Sequence, residues 1–141
     1  MKMHKTAVIS VVVMFFVSTL MGFVVHGLLI GADYARLPFF RTHEDFMAHY
    51  AAMAIANLAW AIGFTWIYRQ GRDGRPFVGQ GVRFGLAVAV LAVIPTYLIY
   101  YAVQPTPSDL VAQQIVFDTI AMVIMGVIVA ALNRDPLPAR A

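Results

Sequence analysis

Four apolar runs, each of about 20 residues or more, take up most of this chain and leave only short connections between them. They cover residues 6–30, 46–68, 82–103 and 110–132. A helix rises about 1.5 Å per residue and a bilayer core is ~30 Å thick, so each run is long enough to cross it. The chain has 141 residues, which leaves almost nothing for an extramembrane domain. With 61% hydrophobic residues, 12% charged residues and a mean hydropathy of +0.77, it is too apolar for a soluble domain of its size. The expected fold is all-α: an integral membrane four-helix bundle in which residues 1–141 form a single transmembrane domain.

Short connections favour antiparallel neighbours, so the expected order is up-down-up-down. Orientation follows from the basic residues. Lys2 and Lys5, then Arg69, Arg72, Arg75 and Arg83, then Arg134 and Arg140 belong to one side. The other side has only Arg36 and Arg41, together with Asp33, Glu44, Asp45 and Asp109. The positive-inside rule puts both termini in the cytoplasm and the first and third connections outside, as a multi-pass protein of a bacterial inner membrane. A basic start before an apolar stretch is also how a signal peptide begins. This stretch continues past Phe16 with no small-x-small site near Ser18 and Thr19, so a retained first helix is expected.

The net charge of +3 and pI of about 9.5 are accounted for by topology. No basic stripe alternates with aromatics, so the expected partner is the lipid bilayer and not nucleic acid. Cysteine is absent, which excludes thiolate metal sites, disulfide exchange and thiol nucleophiles. No phosphate-cradling loop or nucleophile-and-base arrangement is visible, and the composition leans away from an enzyme.

Thr42 three residues before Asp45, and Thr106 three before Asp109 with Pro107 at the first helical position, mark helix starts. Gly71 and Gly74, and later Asn133 and Pro136, mark helix ends. Small residues recur four apart as Gly27 and Gly31, Ala59 and Gly63, Gly81 and Gly85, and Gly126 and Ala130. That spacing allows close helix packing, within the bundle or against a partner. Trp66 and Tyr68 at one boundary, and Tyr100 and Tyr101 at the other, fit interfacial belts.

Asp118 breaks the fourth run. A carboxylate at membrane depth costs about 2.5–3.5 kcal/mol on insertion scales and so needs a partner or a purpose. Counted inward from the outer end of each run, Asp118 lies ~12 Å deep, His26 ~6 Å, His49 ~5 Å, Tyr97 ~9 Å and Asn57 ~16 Å. Ser18, Gly22 and His26 share one face of the first helix, with Asp33 two turns beyond His26, and Gln114 shares a face with Asp118. Pro95 would bend the third helix one turn before Tyr97. The expected site is an outward-facing polar pocket of Ser18, His26, His49, Tyr97, Gln114 and Asp118. No metal is expected, and His43, Glu44 and Asp45 read as a solvated helix start. Two histidines at similar depth leave bis-histidine haem through His26 and His49 as the one cofactor to weigh.

Gly22, Gly27 and Gly31, the Gly81 and Gly85 pair, Pro95, Phe117-Asp118 and Met125-Gly126 together resemble the small four-helix bacterial membrane family called domain of unknown function 1761. The resemblance covers nearly the whole chain. His26 stands where the family tends to have an aromatic residue, and Asp118 where it tends to have histidine. The resemblance implies architecture alone, since the family carries no established activity. The function expected from the residues is a small-solute or proton-linked transport element, assembled as a homo-oligomer. The alternative is a non-catalytic accessory or interaction subunit of a larger membrane complex, with Asp118 as interhelical hydrogen-bond glue.

Overall fold

The computed structural model describes residues 2–73 and 75–134. Within them the chain is helical and no strand occurs. The helices are α1 (Lys2–Gly22), α2 (Gly31–Tyr34), α3 (His43–Ala48), α4 (Tyr50–Gly71), α5 (Phe77–Val88), α6 (Ile94–Val103) and α7 (Ser108–Leu132), with π-helical stretches at Phe23–Leu29 and Ala89–Val93. Four helical segments are long and apolar enough to cross a membrane: Lys5–Leu29, Tyr50–Gly71, Phe77–Val103 and Ser108–Leu132. These match the four apolar runs, with ends that move by a few residues.

The shifts at the ends have local causes. Thr42 caps α3 as expected, its hydroxyl accepting the Asp45 amide at 3.3 Å. α3 then breaks at His49, whose φ of −106° and ψ of 7° interrupt the helix, so the second span begins at Tyr50 and not at Phe46. At the fourth span Pro107 is the extended cap residue and Ser108 the first helical residue, one position later than the Thr106 start. Gly71 is the last residue of α4. Gly74, Pro136 and Arg140 lie outside the described residues.

The two π-helical stretches reset which face each helix presents. In the first span the Ile30 amide bonds to the Val25 carbonyl at 3.0 Å, five residues back. In the third, Pro95 has no amide hydrogen to continue the ladder, and the wide turn lies directly before it.

Helix packing separates the glycines into two groups. α5 lies along α7. A Cβ on Gly81 would stand 2.6 Å from the Gly126 carbonyl oxygen, and one on Gly85 would clash with the Met122 backbone. Ascending positions on α5 therefore meet descending positions on α7, and backbone touches backbone. Gly27 and Gly31 do no such packing. The space above Gly27 meets only Phe23 of its own helix, and that above Gly31 meets the His26 carbonyl. Gly63 has open space, and Ala59 is exposed.

α1 lies along α4 and α7. Met14, Ile30, Phe64, Val129 and Ala130 are buried where these helices meet. Trp60 stacks on Phe64 at 4.3 Å, and Phe84 meets the edges of Phe64 and Tyr68. Tyr68 is thus a core residue, 3% exposed, and not part of an interfacial belt. Trp66, Tyr100 and Tyr101 are exposed.

One polar knot ties the end of the bundle near Asn133. This side chain is buried, donates to Ser10 Oγ at 3.0 Å and to the Val129 carbonyl at 2.8 Å, and accepts from Arg69 at 2.7 Å. Its carbonyl also accepts from Arg72. A residue whose spacing marked only a helix end joins three spans.

Candidate functional site

The opposite half of the bundle holds the deep carboxylate. Asp118 projects from α7, and Tyr97, two residues beyond Pro95, donates its hydroxyl to Asp118 Oδ2. His26, carried by the π-helical stretch, sets Nε2 3.3 Å from Asp118 Oδ1. The other ring nitrogen, Nδ1, is 2.8 Å from the Tyr34 hydroxyl oxygen. Gln114, one turn before Asp118 on α7 and 6% exposed, donates its amide to the same oxygen at 2.8 Å.

The directions of these bonds follow from what each group can offer. An ionised carboxylate only accepts, so a neutral His26 carries its proton on Nε2 and presents Nδ1 as an acceptor. The Tyr34 hydroxyl then donates to Nδ1 while accepting from Gln114. The chain runs Gln114 to Tyr34 to His26 to Asp118, with Tyr97 closing it from the far side. Burial holds the Tyr34 phenol above its usual pKa; the Gln114 hydrogen bond pulls the other way and the Asp118 charge adds to the rise. Tyr34 therefore stays a hydroxyl, which the chain requires. Its ring also lies over His26, with centroids 5.9 Å apart, and packs on Phe40 at 4.6 Å.

This chain forms part of the wall of a cavity of about 1220 Å³ bounded by the first, second and fourth spans and by the first connection. Asp118, His26 and Tyr34 line it, while Tyr97 and Gln114 are not among its lining residues. Side-chain exposure is 15% for Asp118 and 35% for His26. The rest of the wall is mainly apolar, with Met21, Phe23, Phe39, Phe40, Phe46, Tyr50, Met53, Trp60, Met122 and Met125. Asn57 adds a carboxamide whose Nδ2 donates to Thr19 Oγ1 at 3.4 Å. Gly22, Gly27 and Gly31 also line the cavity, so in the first helix small residues make room for the cavity and not for another helix.

Of the six site residues expected from sequence, Asp118, His26, Tyr97 and Gln114 come together in one network. Ser18 lines the same cavity, but its hydroxyl donates to the Phe15 carbonyl at 3.0 Å. His49 does not join them. It stays with its own turn, Nδ1 2.8 Å from the Asp45 carbonyl and 3.4 Å from Arg41, and its side chain is 52% exposed. Its depth was counted along one unbroken helix, and the break at His49 removes that basis. The pairing of His26 with His49 needed for haem is not assembled, since both His26 nitrogens are engaged by Tyr34 and Asp118. Among the described residues no group of three or more histidines, aspartates or glutamates is placed to hold a metal ion.

Tyr34 is the member that sequence reasoning missed. Ordinary helical spacing placed Asp33 two turns beyond His26, but the helix breaks at Ile30, with φ of −119° and ψ of 9°, and the short α2 that starts at Gly31 brings Tyr34 there instead. Asp33 faces Arg36 at 3.7 Å. The available signal was a tyrosine eight residues beyond a histidine, just past the end of an apolar run.

Fold and site together define a class: a helical chain with four spans long enough to cross a membrane, in which the Asp118 carboxylate of the fourth lines a mainly apolar cavity and is held in a hydrogen-bonded chain. Comparison with known proteins carries the assignment no further, since no family model, no curated protein and no solved structure matches.

Proposed function

We propose that this protein is a proton-linked transport element of a bacterial inner membrane, with an up-down-up-down bundle, both termini in the cytoplasm and the cavity open to the outside. The orientation rests on the basic residues of the second connection and chain ends. The resemblance to domain of unknown function 1761 belongs to the same proposal and adds architecture only. So does assembly as a homo-oligomer, although the cavity lies within one chain and needs no second copy to form.

One observation carries the proposal: the group facing the cavity can change its charge by one while both His26 nitrogens, the Gln114 amide and the Asp118 carboxylate keep their partners, and only the Tyr34 hydrogen turns to the cavity. With Asp118 ionised and His26 neutral, the pair carries one negative charge. A proton arriving at His26 Nδ1 makes that nitrogen a donor, and the Tyr34 oxygen turns from donor to acceptor towards it. The same oxygen keeps its bond from Gln114 at 2.8 Å, and its own hydrogen is freed towards the cavity. Asp118 keeps both Tyr97 and His26 throughout. The cost of an unsatisfied buried donor, about 1–3 kcal/mol, is thus avoided at His26 and Gln114 in both states. A carboxylate serving only as interhelical glue has no need of such a reversible partner.

The accessory-subunit reading drew on the small-residue faces. Gly81, Gly85 and Gly126 are already filled by the contact of α5 with α7.

The test begins with purification in native lipid and identification of the small molecules that accompany the protein. Uptake of the solute so identified is then followed in proteoliposomes, with and without a pH difference. A pH difference accelerates uptake by the wild type and leaves Asp118→Asn unaffected. Equal acceleration in both proteins rejects the proposal.

A further inference from the structure

The solute class can be read from the charge and the walls of the cavity. Among the described residues that line it, Asp118 and Arg41 are the ones with a fixed charge, and histidines 26 and 43 are the titratable bases. Arg41 stands at the first connection with its guanidinium already on Asp45 at 2.6 Å. Asp118 has no such full countercharge while His26 is neutral, because Tyr97 and a neutral His26 supply hydrogen bonds and no charge, and Tyr34 and Gln114 reach it only through His26. A carboxylate offers about four lone-pair directions, and two are taken here. An anion in this cavity meets a negative charge at depth, whereas a cation meets its complement.

The walls favour the same sign. Phe23, Tyr34, Phe40 and Trp60 bring aromatic rings to one cavity, and ring faces attract cations within about 6 Å. Met122 and other methionines provide a polarisable, adaptable surface suited to irregular apolar bodies. At about 1220 Å³ the cavity exceeds the ~300–1,000 Å³ usual for small-molecule sites, so a bulky solute fits.

We propose that the cavity binds a lipophilic organic cation, held by the charge of Asp118 and the faces of the aromatic walls, and released when the Asp118–His26 pair takes up a proton. This deepens the proton-linked reading and rests on it for the release step. The balance is one for one: the site carries charge −1 when the cation enters and 0 when the proton replaces it. The proton resides on His26, Tyr34 turns its hydroxyl, and the cation departs with its charge unchanged.

Two probes with nearly the same apolar body and opposite charge separate this from simple lipophilicity: tetraphenylphosphonium and tetraphenylborate. Binding to the full chain in lipid nanodiscs is measured by equilibrium dialysis, with empty nanodiscs subtracted. The expected result is saturable phosphonium binding at least about tenfold tighter than borate binding, with the preference lost in Asp118→Asn. The comparison of probes on the wild type stands even if that variant fails to fold. Borate binding as tight as phosphonium binding overturns the cation assignment. So does saturable binding of neither probe, the outcome of a cavity filled by lipid. Phosphonium binding in weakly buffered solution should also release about one proton per cation from protein equilibrated at a pH where the pair is protonated. Binding that stays selective and Asp118-dependent but releases no proton at any pH overturns the proton linkage and leaves the cation assignment standing.

Discussion

Tyr34→Phe removes one oxygen that serves two partners. In the folded protein that oxygen accepts from Gln114 at 2.8 Å and meets His26 Nδ1 at 2.8 Å. Hydrogen bonds among membrane helices average ~0.6 kcal/mol, those in water-soluble proteins about 1 kcal/mol, and an orphaned buried donor costs about 1–3 kcal/mol. Gln114 is 6% exposed and the His26 ring faces the cavity, so the amide is the group that suffers. The sum is a destabilisation of roughly 1–3 kcal/mol, read by equilibrium unfolding in mixed micelles. Gln114→Leu alone should cost a comparable amount. The double variant should cost less than the sum of the two, because both ends of the bond are then apolar. Simple additivity, or a Tyr34→Phe effect below about 0.3 kcal/mol, would refute the claim that Tyr34 joins the first connection to α7.

Three further outcomes follow from the packing and the polar ends. Gly85→Leu places a side chain where the Met122 backbone already stands, and should cost about 3 kcal/mol or more by the same unfolding assay, with Gly63→Leu near neutral as the control. Asn133→Leu strips partners from Ser10 and Arg69 at once and should cost about 2–4 kcal/mol, more than Ser10→Ala. His49→Ala should leave stability within about 0.5 kcal/mol and leave phosphonium binding by the dialysis assay unchanged, since its ring stays at the α3 turn.

Much of the architecture was legible because hydropathy over ~20 residues is a strong signal, and the four spans follow the four runs closely. The polar cluster was legible only as shared depth. Asp118, His26 and Tyr97 were placed at similar levels, but depth along a helix says nothing about azimuth. The break at Ile30, invisible to a count of 3.6 residues per turn, starts a new short helix whose face the first helix does not set. Tyr34 was hidden for that reason, and because it lies in a connection beyond the apolar run.

His49 was misplaced by the opposite error, an assumed continuity through a residue that breaks the helix. Asn133 looked like a terminator because its partner Ser10 is 123 positions away in sequence. The glycine spacing was the same in the first and third helices, yet one pair lines a cavity and the other seats a helix. Spacing alone carries no information about what stands opposite.

Proton linkage at this site requires a proton at His26 and a hydroxyl at Tyr34 that move together under the control of Asp118. Infrared difference spectra recorded across pH, with isotope-labelled histidine and tyrosine rings, observe both groups in one sample. Subtraction of the His26→Gln spectrum isolates the ring in question. The tyrosine C–O band should shift in step with His26 protonation, and this shift should disappear in Tyr34→Phe. A His26 ring that takes up its proton while the tyrosine band stays still would contradict the linkage.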